Sequence, residues 1–493
     1  MRREQDVRVS GVLRGGLVVL AVFAATWACA ILWWRSSGAA PGGTAMFAWL
    51  LLVPLALLAI LWTVLRLRRR AAARAEAGDG PVADDSPADQ PLPPPPKPLG
   101  ILAQAVNLAC GDDAAAIATQ LPGLPRPGLH PSLRDRDGLP VLAAFQKDLE
   151  TSLVEDQLSG GTGRRPIQEH LRALALLEPV ALGLFEAAAL QLPPLPEVEE
   201  RVVAGLRRRI GDAPDDLARV HVTAILPQDM PSALRDAAGA WLRELAADVG
   251  LDPRRSTFEV VAAADAGDVW QRVQGLSAGQ AVPADAWHLL LASASLIGER
   301  GVQALAAQGR LASGSHIEGV VPGEGAAGVL LRPHGATLPQ DAEESGIGLL
   351  AIQRQQTAGG VTPRQAAQSS AGLLEGVLAS TTTPAADVAM VLTDADQRPS
   401  RSVEAAVAAA NTCPELDPAT QCPALGNASG CLGHVAPLAL IALAAAAARE
   451  ADAPVAVLSV EAAGMRHAAL LGRADAIDES LSSDAGPGPD VVA

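Results

Sequence analysis

The sequence predicts a layered α/β body that follows an N-terminal hairpin of two transmembrane helices. Two long uncharged segments lie within the first 75 residues. Beyond them, short apolar runs bounded by Gly, Pro, Asp or Ser alternate with helix-length segments through residues 99–480. Strands that are apolar at consecutive positions are buried on both faces, and strands that alternate with helices form a sheet between helical layers.

The transmembrane prediction rests on the runs at residues 15–34 and 45–65. At 1.5 Å per residue, each is long enough to cross a hydrocarbon core of about 30 Å. A secretory signal peptide has a shorter apolar region, and the alternative of two buried core helices leaves the Trp residues near the ends unexplained. Arginines flank the pair on its outer sides, which predicts that both termini face the cytoplasm.

Charge is divided unevenly along the chain. Residues 1–75 carry ten arginines and two acidic residues, +8 in all, so a net charge of −16 for the chain leaves −24 for the remainder. A body this acidic excludes nucleic acid as a partner, because DNA and RNA are bound through basic surfaces. It favours a basic protein partner.

The predicted domains follow from composition. Residues 1–75 form the membrane hairpin, 76–98 an acidic, proline-rich linker, 99–295 and 296–480 two halves of the body, and 481–493 a disordered tail. Strands are expected at the apolar runs beginning near residues 99, 219, 258, 287, 346, 387 and 453, and helices at 231–247, 298–309, 363–378, 402–410 and 435–449.

Two proline-rich segments interrupt the first half, "LPGLPRPGLHPSLRDRDGLP" from Leu121 and "LPPLPEVEE" from Leu192. Their proline density predicts surface loops without regular structure. Such loops either bind a partner or simply connect elements, and the sequence does not decide between the two.

No cofactor or metal is predicted. Cys413, Cys422, Cys431 and His434 are too widely spaced to resemble the close cysteine pairs of zinc sites. "SGGTGRRP" lacks the Lys-Ser/Thr of a phosphate-binding loop, and "GNASG" has Ala428 where a nucleophile elbow requires serine. In the cytoplasm the thiols are expected to be reduced.

Four segments of the second half resemble β-ketoacyl synthases and other thiolase-like enzymes. They are "GSHIEGVVPGEGAAGVLL", "DVAMVLTDADQRPSRSVEAAV", "GNASGCLGHVAPLALIALAAAA" and "VLSVEAAGMRHAALL", in the order those enzymes have them. The resemblance implies a thiolase-like layered α/β fold. The glycines and Glu324 of the first segment are then expected to be scaffold.

The catalytic residues that this resemblance implies are largely missing. Such an enzyme uses a cysteine nucleophile at a helix N-terminus in the first half and two further polar groups for the oxyanion. Cys110 directly follows the first strand, which is too early for that nucleophile. The family's first histidine would fall near Thr393 or Asp394, whereas His434 is retained. His434, Asp394 and Cys431 are therefore interpreted as vestigial candidates, and no catalytic residue is predicted.

The soluble part also resembles the type VI lipase adaptor family, most clearly in "ADVAMVLTDADQRPSRSVE" and "GNASGCLGH". Membership implies a non-catalytic adaptor that binds a phospholipase effector in the cytoplasm and delivers it to the secretion spike protein, here from the inner membrane through residues 15–65. The alternatives are a membrane-tethered acyltransferase or condensing enzyme using Cys431 or Cys110 with His434, and a structural inner-membrane component of a secretion complex.

Overall fold

The computed structural model describes residues 26–27, 33, 97–162, 166–193, 199–203, 206–210, 218–280, 286–333, 346–357, 361–462 and 464–473. The chain divides into two compact units, Met1–Leu92 and Pro93–Ala493. Apart from helical Thr26, Trp27 and Trp33, the predicted membrane segments lie outside the described residues, as do linker residues 76–96 and the predicted tail 481–493.

The body alternates strands and helices, as the apolar pattern predicts. Its strands are β1 (Leu99–Leu108), β2 (Gly128–Arg134), β3 (Pro140–Ala143), β4 (Glu199–Val203), β5 (Leu206–Ile210), β6 (Val220–Pro227), β7 (Ser256–Ala263), β8 (Trp287–Ser295), β9 (Glu324–Arg332), β10 (Ile347–Gln356), β11 (Met390–Thr393), β12 (Val455–Ser459) and β13 (Met465–Arg473). Its helices are α1 (Ala114–Gln120), α2 (Ser152–Thr162), α3 (Gln168–Gln191), α4 (Ser232–Asp248), α5 (Ala266–Ser277), α6 (Glu299–Ala307), α7 (Pro363–Ser380), α8 (Pro399–Thr412), α9 (Gly426–Ser429) and α10 (Ala436–Ala451).

One nine-stranded sheet runs through the body in the order β11-β12-β13-β10-β1-β9-β8-β6-β7. The first half contributes β7, β6 and β8 as parallel neighbours, with β9 antiparallel to both β8 and β1. Strand pairing therefore groups β9 with the first half, whereas the sequence division after residue 295 assigned it to the second.

The second half repeats this order. β11 and β12 are parallel, and β13 is antiparallel to both β12 and β10. The place of a third strand is taken by residues 421–425, since Val391 N donates to Gln421 O at 2.9 Å and Leu425 N donates to Thr393 O at 2.8 Å. The first strands of the two halves, β1 and β10, pair antiparallel and join them into one sheet.

Helices cover both faces of the sheet. α5 and α10 contribute to one apolar core, α3 and α4 to a second, and α7 and α8 to a third. Helix α3 and the segment Gly433–Ala451 are long and apolar enough to cross a membrane by length and composition, but both are largely buried in the body. Packing against the sheet therefore accounts for their apolar character.

Several elements differ from the sequence prediction. The proline-rich segment from Leu121 is not an irregular loop, because it contains β2 and β3, which pair antiparallel. Its prolines are tolerated since Pro140 is the first residue of its strand and the two-stranded sheet has no central strand. The segment from Leu192 continues into β4, and the long helix α3, which contains Pro179, was not predicted.

Candidate functional site

The two glycine-rich segments singled out in the sequence pack directly on each other. Pro322 bridges to Cys431, and a side-chain carbon on Gly323 would lie 2.3 Å from Ser429 O. Gly430 has a φ of +63°, in the left-handed region that favours glycine. The glycines therefore bring the start of β9 against the turn that leads into α10.

Glu324 is the centre of a buried polar network. Its carboxylate is fully buried and accepts hydrogen bonds from Arg172 Nε at 2.7 Å, Ser295 Oγ at 2.8 Å and Gln146 N at 2.9 Å. Arg172 Nη2 also donates to Gln146 O at 2.8 Å. All these contacts join elements of the first half, so Glu324 fixes β8, β9, α3 and the Gln146 loop together.

Asp394 follows β11 and is enclosed by the segment after β12. It accepts hydrogen bonds from Val460 N at 2.6 Å, Glu461 N at 3.1 Å and Ser459 Oγ. Burial is the main cause that raises the pKa of Asp394 from its ordinary 3.8 to about 6, with a further rise from the Glu461 charge. The hydrogen bonds oppose this rise, because they stabilise the carboxylate.

Cys431 lies against the same segment. Its thiol donates to Glu461 Oε1 at 3.3 Å, and Arg398 Nη2 lies 3.7 Å from the same oxygen. Burial first, and then the negative Glu461, raise the pKa of Cys431 well above its ordinary value. The sulfur is therefore a thiol at neutral pH, not the thiolate that a nucleophile requires.

His434 faces away from these groups, toward the first half of the sheet. It sits in a 3₁₀ turn before α10 and is buried, and its Nε2–H donates to Ser293 O of β8 at 2.9 Å. Burial lowers the pKa of His434 below 6.5, so the ring is neutral at pH 7.

The structure thus brings Asp394 and Cys431 together but does not add His434 to them. A cavity lined by Asp394, Cys431, Glu461 and neighbouring residues, His434 not among them, has a volume of about 10 Å³. That is roughly the space needed for one water molecule. An acyl chain does not fit there in this conformation.

The first half has no cysteine at the matching position. α5 lies between the third and fourth strands of its half, as α10 does in the second, and its N-cap is Asp265, which accepts from Gly267 N at 2.8 Å. Cys110 lies in a tight turn after β1, far from α5 in the chain, and burial raises the pKa of its thiol to about 11.

Several polar residues at the site were not predicted. Asp396 and Arg398 form an ion pair at 2.8 Å, and Ser459 and Glu461 reach the cluster from β12 and the segment after it. The Asp-x-Arg spacing in "DADQR" is the one local signal, and nothing near Glu461 points to Cys431. Among the described residues, no group of three or more His, Cys, Asp or Glu side chains is placed to hold a metal ion.

Comparison with solved structures identifies the fold. A ketosynthase from module 6 of the bacillaene synthase of Bacillus subtilis 168 aligns with 76% of this chain and 72% of its own, at a TM-score of 0.50 and 10% identity. A β-ketoacyl synthase from Burkholderia phymatum STM815 aligns with 76% of this chain and 99% of its own, at a TM-score of 0.48 and 13% identity. The sequence matches no protein-family model and no curated protein.

The body therefore has the thiolase-like fold of ketosynthases, as the four sequence segments predicted. Identity this low defines the fold and not the reaction. The assignment to the type VI lipase adaptor family stays a prediction.

Proposed function

We propose that this chain is a non-catalytic adaptor that binds a type VI secretion effector, a phospholipase, in the cytoplasm and delivers it to the secretion spike protein. It is anchored in the inner membrane by the hairpin at residues 15–65, with its thiolase-like body on the cytoplasmic side. The proposal takes its partner class from the sequence resemblance and its non-catalytic character from the geometry around Cys431.

The environment of the Cys431 thiol is the observation that best supports a non-catalytic function. The thiol is buried, its hydrogen bond goes to the carboxylate of Glu461, and the adjoining cavity of about 10 Å³ has no room for an acyl group. A negative Glu461 opposes both a thiolate and a developing oxyanion. His434, which could have supplied positive charge, is neutral and bonded to Ser293 O.

The net charge of the chain and its predicted membrane anchor support the proposed protein partner. Residues 76–493, with a net charge of −24, attract a basic protein and speed its encounter. The predicted linker at residues 76–98 would connect the body to the membrane anchor.

The test is affinity purification of the full-length chain from its native membranes in mild detergent, with partners identified by mass spectrometry. A lipase-like effector and a spike protein should co-purify with the chain. In a strain that lacks the effector gene, the effector should be missing from the purified sample while the recovery of the chain is unchanged. Co-purification with stoichiometric secretion-complex membrane proteins and no effector would instead establish the structural alternative. Thioester turnover abolished by Cys431→Ala would establish the enzyme alternative.

A further inference from the structure

The hairpin of β4 and β5 follows α3 in the chain and forms a two-stranded sheet separate from the nine-stranded one. Counted from the connection between its strands, the directly opposed pairs are Val203 and Leu206, Val202 and Arg207, Arg201 and Arg208, Glu200 and Arg209, and Glu199 and Ile210. Only two residues connect the strands, and they belong to the apolar run "VVAGL". The end of the hairpin formed by Val202, Val203 and Leu206, hereafter the tip, is therefore apolar.

Charge changes sign along the hairpin. Arg201, Arg207 and Arg208, hereafter the arginine ring, come directly after the tip, and the first carboxylate, Glu200, is opposed by a fourth arginine. At about 3.3 Å per residue, Glu199 lies roughly 13 Å from the outermost pair of the tip, which exceeds a Debye length of about 10 Å. The other acidic residues nearby in the chain come before or after the hairpin: Glu197, Asp212, Asp215 and Asp216. The end of the hairpin that carries the tip is therefore positive, and its far end is negative.

Arginines belong to both faces of the hairpin. Successive residues of a strand alternate between faces, so Arg201 and Arg208 share one face, whereas Arg207 and Arg209 share the other. Two like charges directly opposite each other destabilise a strand pair, so an anion beside Arg201 and Arg208 would stabilise this one. Positive charge therefore surrounds the apolar tip instead of marking one face of the hairpin.

We propose that this hairpin inserts its tip into a bilayer of anionic phospholipid and places the arginine ring at the level of the headgroup phosphates. A tip two residues long, with its connection, matches the depth of about 5–10 Å that interfacial segments reach. Arginines close to an anionic leaflet add electrostatic attraction, and the glutamates lie on the side away from it. The inference rests on the proposed function only in placing the body beside an anionic membrane, and it does not require an effector.

Two other classes of partner fit this order of residues less well. A groove on a protein contacts one face of a hairpin, whereas the arginines here belong to both faces. Nucleic acid is bound through a broad basic surface and through aromatic side chains that stack on bases, but residues 199–210 contain no aromatic residue and residues 76–493 are strongly acidic as a whole. A planar anionic surface, approached end-on, meets the tip first and the arginine ring next.

The test uses the full-length chain reconstituted into vesicles of phosphatidylcholine with or without phosphatidylglycerol. Leu206→Cys carries an environment-sensitive nitrobenzoxadiazole label at the tip. Leu139→Cys, at a 60% exposed leucine between β2 and β3, is the matched control, and the unaltered chain gives the background from the native cysteines. Nitroxide-labelled lipid should quench the label at residue 206 much more strongly than the label at residue 139, and phosphatidylglycerol should increase that quenching.

A second comparison measures the electrostatic contribution. With the label at residue 206, Arg201→Gln/Arg208→Gln should shift the equilibrium toward the free tip by roughly thirtyfold, since each arginine near an anionic leaflet contributes about fivefold. Arg134→Gln/Arg136→Gln, at two exposed arginines of the other hairpin, should leave the equilibrium unchanged. Because misfolding could also cause a loss, Arg201→Glu/Arg208→Glu is measured on vesicles that contain a cationic lipid. There this variant should insert better than the chain with arginines, a gain that misfolding does not produce.

Four results would count against the proposals, each in a different way. Equal quenching of the labels at residues 206 and 139 in phosphatidylglycerol vesicles would exclude insertion of the tip. Quenching that neither phosphatidylglycerol nor the arginine variants alter would remove the arginine ring from the contact. A tip label that responds in detergent to an RNA oligonucleotide, and not to lipid, would assign the hairpin to nucleic acid. Effector co-purification with a tip that does not insert would refute this inference alone, whereas insertion without any co-purifying effector would refute the adaptor alone.

Discussion

Replacing Asp394 by asparagine isolates the energetic consequence of burying a carboxyl at the candidate site. The change is nearly isosteric. Asn Oδ1 can keep the bonds from Val460 N and Glu461 N, and its amide can donate to Ser459 Oγ, which accepts in place of donating. The variant therefore removes the titration while retaining the contacts.

The magnitude follows from the pKa of Asp394. Raising it from 3.8 to about 6 makes ionisation in the folded protein about 3 kcal/mol more costly than in the unfolded chain. Between pH 4 and pH 6 the folded state binds more protons at this group than the unfolded state. The stabilising contribution is therefore fully present below pH 4 and is lost as the pH rises through 6.

The assay is urea unfolding of the compact unit Pro93–Ala493, followed by tryptophan fluorescence at pH 4.5 and pH 7.5. Relative to the unaltered protein, Asp394→Asn should be more stable by about 2 kcal/mol more at pH 7.5 than at pH 4.5, because about 1 kcal/mol of the burial penalty already applies at pH 4.5. Asp137→Asn, at an exposed carboxylate, is the control and should show little change. A difference between Asp394→Asn and the unaltered protein that is the same at both pH values would refute the assigned burial penalty.

Three further predictions concern the rest of the scaffold. Glu324→Ala should lower the free energy of unfolding by about 3–5 kcal/mol, because it leaves the largely buried guanidinium of Arg172 without its carboxylate partner, and Arg172→Met in the same chain should restore part of that loss in urea unfolding. Cys431 should resist iodoacetamide at pH 7.5 until the protein is unfolded, as measured by mass spectrometry, since its pKa is raised by burial; rapid labelling of the folded chain would contradict this. Gly323→Ala should cost about 1–3 kcal/mol because its added carbon meets Ser429 O, whereas Gly314→Ala, which meets nothing within 4 Å, should cost much less in the same assay.

Local features of the fold could be predicted from the sequence. The run "WHLLLASA" predicted β8, the apolar segment before Arg449 predicted α10, and the glycines around Glu324 were expected to be scaffold. These features depend on a residue and its near neighbours, through hydrophobic period, strand propensity and backbone freedom. Local rules failed at the hairpin of β2 and β3, where proline density alone suggested an irregular loop and the edge position of the strands permitted regular pairing.

The contacts that define the site were decided by tertiary structure. Arg172 and Glu324 lie 152 residues apart, and Asp394 meets Val460 N across 66. Which carboxylate meets which partner depends on a strand order that interleaves distant segments, and no local pattern encodes that order. Composition and periodicity by themselves determined that a buried α/β sheet would form, and the residues that could carry chemistry were implied by the resemblance to thiolase-like enzymes. Only the folding of two topologically similar halves into one sheet decided that Cys431 would face Glu461, that His434 would face Ser293, and that the space between Asp394 and Cys431 would nearly close.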